Sequence, residues 1–146
     1  MKNKRLLLSL LLFPSVSFAD KLILGGFSYH FDTPVELRES HPALGIESKG
    51  VELSYFRNSL NKNSLAVARV GRKHLYKDVS HGVRLGLATN YPTTTRIGKD
   101  GKSYTMKGMP LDLQFQAQYL LTYEAKYITV DLGISTVSSL IFKLNL

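Results

Sequence analysis

The sequence predicts an all-β fold, an eight-stranded antiparallel up-and-down membrane β-barrel that follows a cleaved signal peptide. Three observations lead there. The first 19 residues have the pattern of an export signal, almost everything after them alternates with period two, and no later stretch of 18 apolar residues could form a membrane helix. With 146 residues, 44% hydrophobic and 21% charged, the chain has room for one domain and is neither a disordered tail nor a coiled coil. The absence of Cys excludes disulfide scaffolds, thiolate zinc sites, Cys nucleophiles and a lipoprotein anchor. Eight Tyr and seven Phe, with no Trp, suit strands better than helices.

The signal spans residues 1–19, MKNKRLLLSLLLFPSVSFA. Lys2, Lys4 and Arg5 form a basic n-region, Leu6 to Phe13 an apolar core too short to span a bilayer, and Ser17-Phe18-Ala19 a small-residue cleavage site. Cleavage leaves 20–146 as a single barrel domain. Removing three of the 19 basic residues leaves 16 against 11 acidic ones, so the net charge falls from +8 to +5. Export makes nucleic acid an unsuitable partner, while outer-membrane lipid and lipopolysaccharide phosphate suit a basic surface.

Eight strands follow, at about 22–32, 42–48, 51–58, 64–74, 82–90, 110–121, 126–133 and 137–146. In the first, Gly25-Gly26 marks a bend or bulge. The second and third join through the turn Ser48-Lys49-Gly50, and Val51, Leu53 and Tyr55 alternate with Glu52 and Ser54. The fourth, SLAVARV at its start, alternates more weakly. In the fifth, Val83, Leu85 and Leu87 alternate with Arg84 and Gly86. The sixth is clearest: Leu111, Leu113, Phe115, Ala117 and Tyr119 share one face, Asp112, Gln114, Gln116 and Gln118 the other. Ile128, Val130 and Leu132 alternate with Thr129 and Asp131, and Leu140, Phe142 and Leu144 with Ile141, Lys143 and Asn145.

An even number of antiparallel strands of near-spanning length is what a small closed membrane barrel requires. With the N-terminus in the periplasm, the longest connections fall on the extracellular side, among them 91–109 with Arg96, Lys99, Lys102 and Lys107. Those four residues are either a solvated loop or a contact for lipopolysaccharide phosphates. The apolar faces would then meet lipid. Glu47 or Glu52, Arg84, Asp112, Gln114, Gln116, Gln118 and Asp131 would line the lumen, where eight strands leave space for a paired polar plug and not for a pore. Arg84 is expected to pair with Glu52, Asp112 or Asp131. A soluble periplasmic barrel of lipocalin size, with its apolar faces turned inward, is the competing fold.

Chemistry must come from few groups. No pair among the four His has zinc-motif spacing, so no metal is expected, and neither a phosphate-binding loop, a dinucleotide fingerprint nor G-x-S-x-G is present, so no cofactor is expected. The connection after the third strand offers Ser59 and Ser64. It stands beside the first connection and its flanks, with His30, Asp32, Glu39 and His41. A Ser, a His and a carboxylate could therefore meet at the outer rim, although Asn58 and Asn63 also read as ordinary turn residues.

On these residues the chain resembles small outer-membrane barrels of proteobacteria and their phages, through G-G-F-S-Y-H-F-D (25–32), H-P-A-L-G-I-E (41–47) and Y-F-R-N-S (55–59). The last strand resembles the outer-membrane recognition signal, which usually ends in Phe where this chain has Leu146. More broadly the chain is similar to the lipid A palmitoyltransferase family, which moves an acyl chain from a phospholipid to lipid A. That family uses a His in the first extracellular loop and an Asp-Ser pair in the second. The resemblance implies His41 or His30 as general base and Ser59 as its hydroxyl partner, with Asn58 standing where the family has Asp.

Two functions follow from this reading. One is a monomeric barrel that modifies lipid A by acyl transfer or deacylation at its extracellular rim. The other is a non-enzymatic surface barrel whose loops bind lipopolysaccharide or a protein. Catalysis requires Ser59 within hydrogen-bond reach of a His, beside an apolar cavity that opens laterally to lipid, whereas side chains filling the lumen with polar pairs favour the surface barrel.

Overall fold

The computed structural model describes residues 20–31 and 33–146; the predicted signal peptide and Asp32 lie outside the described residues. The elements are β1 (Lys21–His30), β2 (Ser40–Ser48), β3 (Val51–Arg57), β4 (Asn63–Tyr76), β5 (Val79–Ala88), β6 (Thr94–Ile97), β7 (Ser103–Met106), β8 (Gln114–Glu124), β9 (Ile128–Ile134) and β10 (Val137–Asn145). Eight of them close a barrel in the order β1-β10-β9-β8-β5-β4-β3-β2, with every pairing antiparallel, while β6 and β7 form a separate hairpin. Closure leaves no sheet edge running the whole height of the wall.

The barrel is inverted relative to a soluble protein. Outward positions along β2, β3, β4 and β5 carry Leu44, Ile46, Leu53, Tyr55, Leu65, Val67, Val83 and Leu85, all exposed. The buried set is largely polar: Lys21, Glu47, Glu52, Arg84, Thr122, Thr129, Asp131 and Lys143. Alternation therefore places charge inside and hydrocarbon outside.

Long connections gather at one end, which we call the loop end: 31–39, 58–62 and 89–113, beside the short 135–136. The opposite, turn end has only 49–50, 77–78 and 125–127.

The predicted bulge in β1 is present, with the register against both neighbours shifting between Ile23 and Gly25. Gly25 has φ +126, and a Cβ there would lie 2.6 Å from the His41 carbonyl oxygen, so no other residue fits without strain. Three boundaries differ from expectation. The fourth and fifth strands run on to a tight turn at 77–78, because β4 and β5 remain paired through Tyr76 and Val79 where Arg72-Lys73-His74 and Leu75-Tyr76 break the alternation. The connection 89–113 is not irregular throughout but folds into the β6–β7 hairpin. The strand expected from residue 110 begins at Gln114, since Pro110–Asp112 form a 3-10 turn with positive φ at Leu111 and Asp112. Asp112 is consequently exposed and outside the strand, a correction to its expected place in the lumen.

Candidate functional site

The lower lumen, toward the turn end, is a closed ionic cluster. Lys143 Nζ lies 2.6 Å from both Glu47 and Asp131 and also binds Glu52, so the ammonium sits among all three carboxylates. Arg72 forks onto Glu47 and Asp131, the latter at 2.7 Å, and Arg84 bonds Glu52 at 2.8 Å. Thr122 donates to Asp131 at 2.5 Å. Three cations face three carboxylates, and the position a metal ion could take among the acids is filled by Lys143 Nζ. Buried charges persist only when paired this completely, which makes this half a plug.

Of the polar residues expected in the lumen, the structure brings together Glu52, Arg84 and Asp131. Arg84 also approaches Gln118 at 3.3 Å. Gln114 and Gln116 lie higher, on the wall of a cavity. Arg72, Lys143 and Glu47 complete the cluster. Arg72 and Lys143 were legible, since Arg72 shares parity with Ala66, Ala68 and Val70, and Lys143 opposes Phe142 and Leu144 along an alternating strand.

Above the plug the inward side chains become small, with Ser28, Ala43, Ser54, Ala66 and Ala68, and a cavity of about 240 Å³ opens. His30, His41 and Ser59 stand on its wall. His30 Nε2 is 3.0 Å from Ser59 Oγ. A second pair was not anticipated: Ser28 Oγ and His41 Nε2 are 2.6 Å apart, and His41 Nδ1 donates to the Arg57 carbonyl at 2.8 Å. The bulge at Gly25 brings Ser28 and His30 inward. The signal for Ser28 was its shared face with His30, once His41 is placed on the neighbouring strand.

Asn58, expected as a site residue, is fully buried and organises its loop. Its amide donates to Ser64 Oγ and the Asn90 carbonyl, both at 2.8 Å, while its oxygen accepts from the backbone N–H of Leu60 and Lys62. Aspartate could not make the two donations. Tyr91 also lines the cavity, and burial pushes its hydroxyl up to about 12 despite an opposing contact with the Ser59 backbone, so it is a neutral wall.

The wall is notched beside this cavity. β9 ends at Ile134, opposite Tyr119, whereas β8 residues 114–118 pair only with β5. Consecutive β8 residues, from Gln114 to Gln118, line the cavity together with Ser135 and Thr136 from the β9–β10 turn, so the cavity runs out sideways through the barrel wall. Gln118 closes the foot of the notch by donating to Ser139 at 3.0 Å; a Cβ on Gly133 would collide with both side chains.

The basic loop residues divide. Arg96 is committed to the protein, donating to the carbonyls of Glu36 at 2.9 Å and Leu60 at 3.4 Å and so tying the hairpin to two other loops. Lys99, Lys102 and Lys107 are exposed.

Comparison of the chain with known protein families, curated proteins and solved structures returned no match.

Proposed function

We propose that this chain is an outer-membrane barrel that carries out ester chemistry on a membrane lipid, acyl transfer to or deacylation of lipid A, at its loop end. The observation that carries the reading is the pair of Ser–His hydrogen bonds on the wall of one cavity, beside a lateral notch. A hydroxyl bonded to an imidazole is the minimum equipment for nucleophilic acyl chemistry, and the notch is where a lipid ester could reach it without leaving the bilayer.

Location is supported by the inverted polarity and by the placement of the aromatics. Tyr29, Phe31, Tyr55 and Phe115 stand outward near the loop end; Tyr76, Tyr123 and Tyr127 stand near the turn end. Lys77 and Lys126 lie over the rings of Tyr76 and Tyr127 at 5.2 and 4.8 Å. Two aromatic girdles with cations at one rim suit the two interfaces of a bilayer. A soluble lipocalin-like barrel would have to leave this outward hydrocarbon in water. The resemblance to the lipid A palmitoyltransferase family is consistent with this reading, and the exposed Lys99, Lys102 and Lys107 are available to lipopolysaccharide phosphates.

The test is mass spectrometry of lipid A from cells expressing the wild type, Ser59→Ala, Ser28→Ala or the double variant, with each protein recovered in the outer-membrane fraction. A gain or loss of one acyl chain that disappears in the double variant is the expected result. An unchanged spectrum with folded wild-type protein in place would overturn the enzymatic reading and leave a barrel that binds through its loops.

A further inference from the structure

We infer that Ser28, not Ser59, is the nucleophile, with His41 as its general base and the Arg57 carbonyl as the group that orients the base. This rests on the ester-chemistry reading above and names the machinery within it. The two Ser–His pairs share a cavity but are not equivalent. A base must be held in the tautomer that leaves its acceptor nitrogen toward the nucleophile, and the imidazolium it becomes must have a partner for its second N–H.

His41 meets both requirements. Because a carbonyl can only accept, the 2.8 Å contact fixes the proton on Nδ1, which leaves Nε2 to accept from Ser28 Oγ at 2.6 Å. When Nε2 gains the proton, the Nδ1–H bond to Arg57 is already in place. The nearby Arg38 guanidinium is bonded to the Ser40 carbonyl and Asn61.

Among the described residues His30 lacks such an orienter. Its Nδ1 is shielded from solvent and has no hydrogen-bond partner among the described residues, and Glu39 reaches it only through space. If Ser59 donated to His30, the Nδ1–H would be left buried and unpaired, in the ground state and more severely in the imidazolium. Ser59 Oγ and His30 Nε2 are also further apart, at 3.0 Å. Ser59 is instead a loop anchor, its backbone carbonyl accepting from Arg38 N at 3.0 Å.

The reaction balances without a further reagent. Ser28 Oγ attacks the ester carbonyl carbon as its proton passes to His41 Nε2. The bond from that carbon to the leaving alkoxy oxygen breaks, and His41 returns the proton to that oxygen, which gives acyl-Ser28 and an alcohol. A hydroxyl acceptor, water for deacylation or a lipid A hydroxyl for transfer, then attacks the acyl carbon while His41 takes its proton. Ser28 Oγ leaves and recovers that proton.

The experiment is covalent labelling of the full-length protein in detergent-solubilised outer membrane with an alkyl fluorophosphonate, followed by mapping of the labelled peptide. Modification of Ser28 that is lost in His41→Asn but retained in Ser59→Ala and His30→Asn is the expected result. Modification of Ser59 with Ser28 untouched would overturn the inference and leave the ester-chemistry reading standing. If neither serine is modified, and heat-modifiable migration shows each variant folded, both the inference and that reading fall. His41→Gln serves as a second variant if His41→Asn does not fold. Labelling that survives in both His41 variants would remove His41 as the base.

Discussion

The two halves of the lumen solve opposite problems with the same strands. In the lower half, Glu47, Glu52, Asp131, Arg72 and Lys143 are crowded together and satisfy one another, leaving no space. In the upper half, small residues such as Ser28, Ala43, Ser54, Ala66 and Ala68 leave a cavity, and His30 Nδ1 has no partner among the described residues. Arg84 sits at the boundary, paired below through Nη2 while its buried Nε has no partner among the described residues. The contrast teaches that ionic pairing and open space are divided by height. A closed, neutral floor holds the barrel's shape, so the floor's rigidity lets the upper wall carry small residues and unsatisfied atoms that by themselves would destabilise it.

The sharpest way to break this comparison is Lys143→Met. It leaves three buried carboxylates to two arginines and should destabilise the barrel by about 3–5 kcal/mol, read by urea unfolding in detergent. Adding Glu52→Gln should recover part of that loss, because one uncompensated charge is removed. A single-variant loss below about 1 kcal/mol would show that the floor is not the stabilising half. Asn58→Asp comes next, at about 2–3 kcal/mol in the same assay, since it exchanges two buried donations for an unpaired charge.

Ser28→Ala should cost only about 1 kcal/mol, the worth of one hydrogen bond, while abolishing any lipid A modification. A loss as large as that of Lys143→Met would make Ser28 a structural residue and erase the division by height. Arg96→Ala should leave barrel unfolding unchanged but release the β6–β7 hairpin, seen as faster proteolytic cleavage within 94–106. The smallest effect is acid loosening of that hairpin. Tyr104 donates to Asp100 at 2.6 Å, which holds the Asp100 carboxyl below its ordinary value of 3.8. The carboxylate form is the one stabilised, so the contact is fully present above pH 3.8 and weakens as the pH falls toward the lowered value. Tyr104→Phe should weaken that pH dependence of hairpin cleavage, leaving the part due to the Lys102 N–H bond to Asp100.

Much of the fold was legible because alternation survives wherever one face meets the interior and the other the outside. It placed all eight barrel strands, the bulge at Gly25, and Glu52, Arg84 and Asp131 inside. It failed at β4–β5, where the paired ends carry no buried-to-exposed contrast, and at 94–106, where a hairpin outside the barrel has no core to write a pattern. Asp112 was misplaced because alternation continues past Gln114 into a turn that Pro110 starts. The site was less legible for a different reason. His30, His41 and Ser59 could be brought to one rim by counting strands, but which Ser meets which His depends on register, and register across β1 is reset by the bulge.

That reset gives the chain a second kind of reading frame. In a strand, each residue added or removed exchanges the two faces for everything beyond it. Upstream of Gly25 the odd-numbered residues Lys21 and Ile23 face inward; downstream the even-numbered Ser28 and His30 do. Straightening the bulge with every residue kept, as Gly25→Val would favour, would leave each Ser and His in the gene and still turn Ser28 and His30 out of the lumen, with Phe27 and Tyr29 turned inward. One glycine thus acts as punctuation, deciding on which side of the wall the words that follow are read.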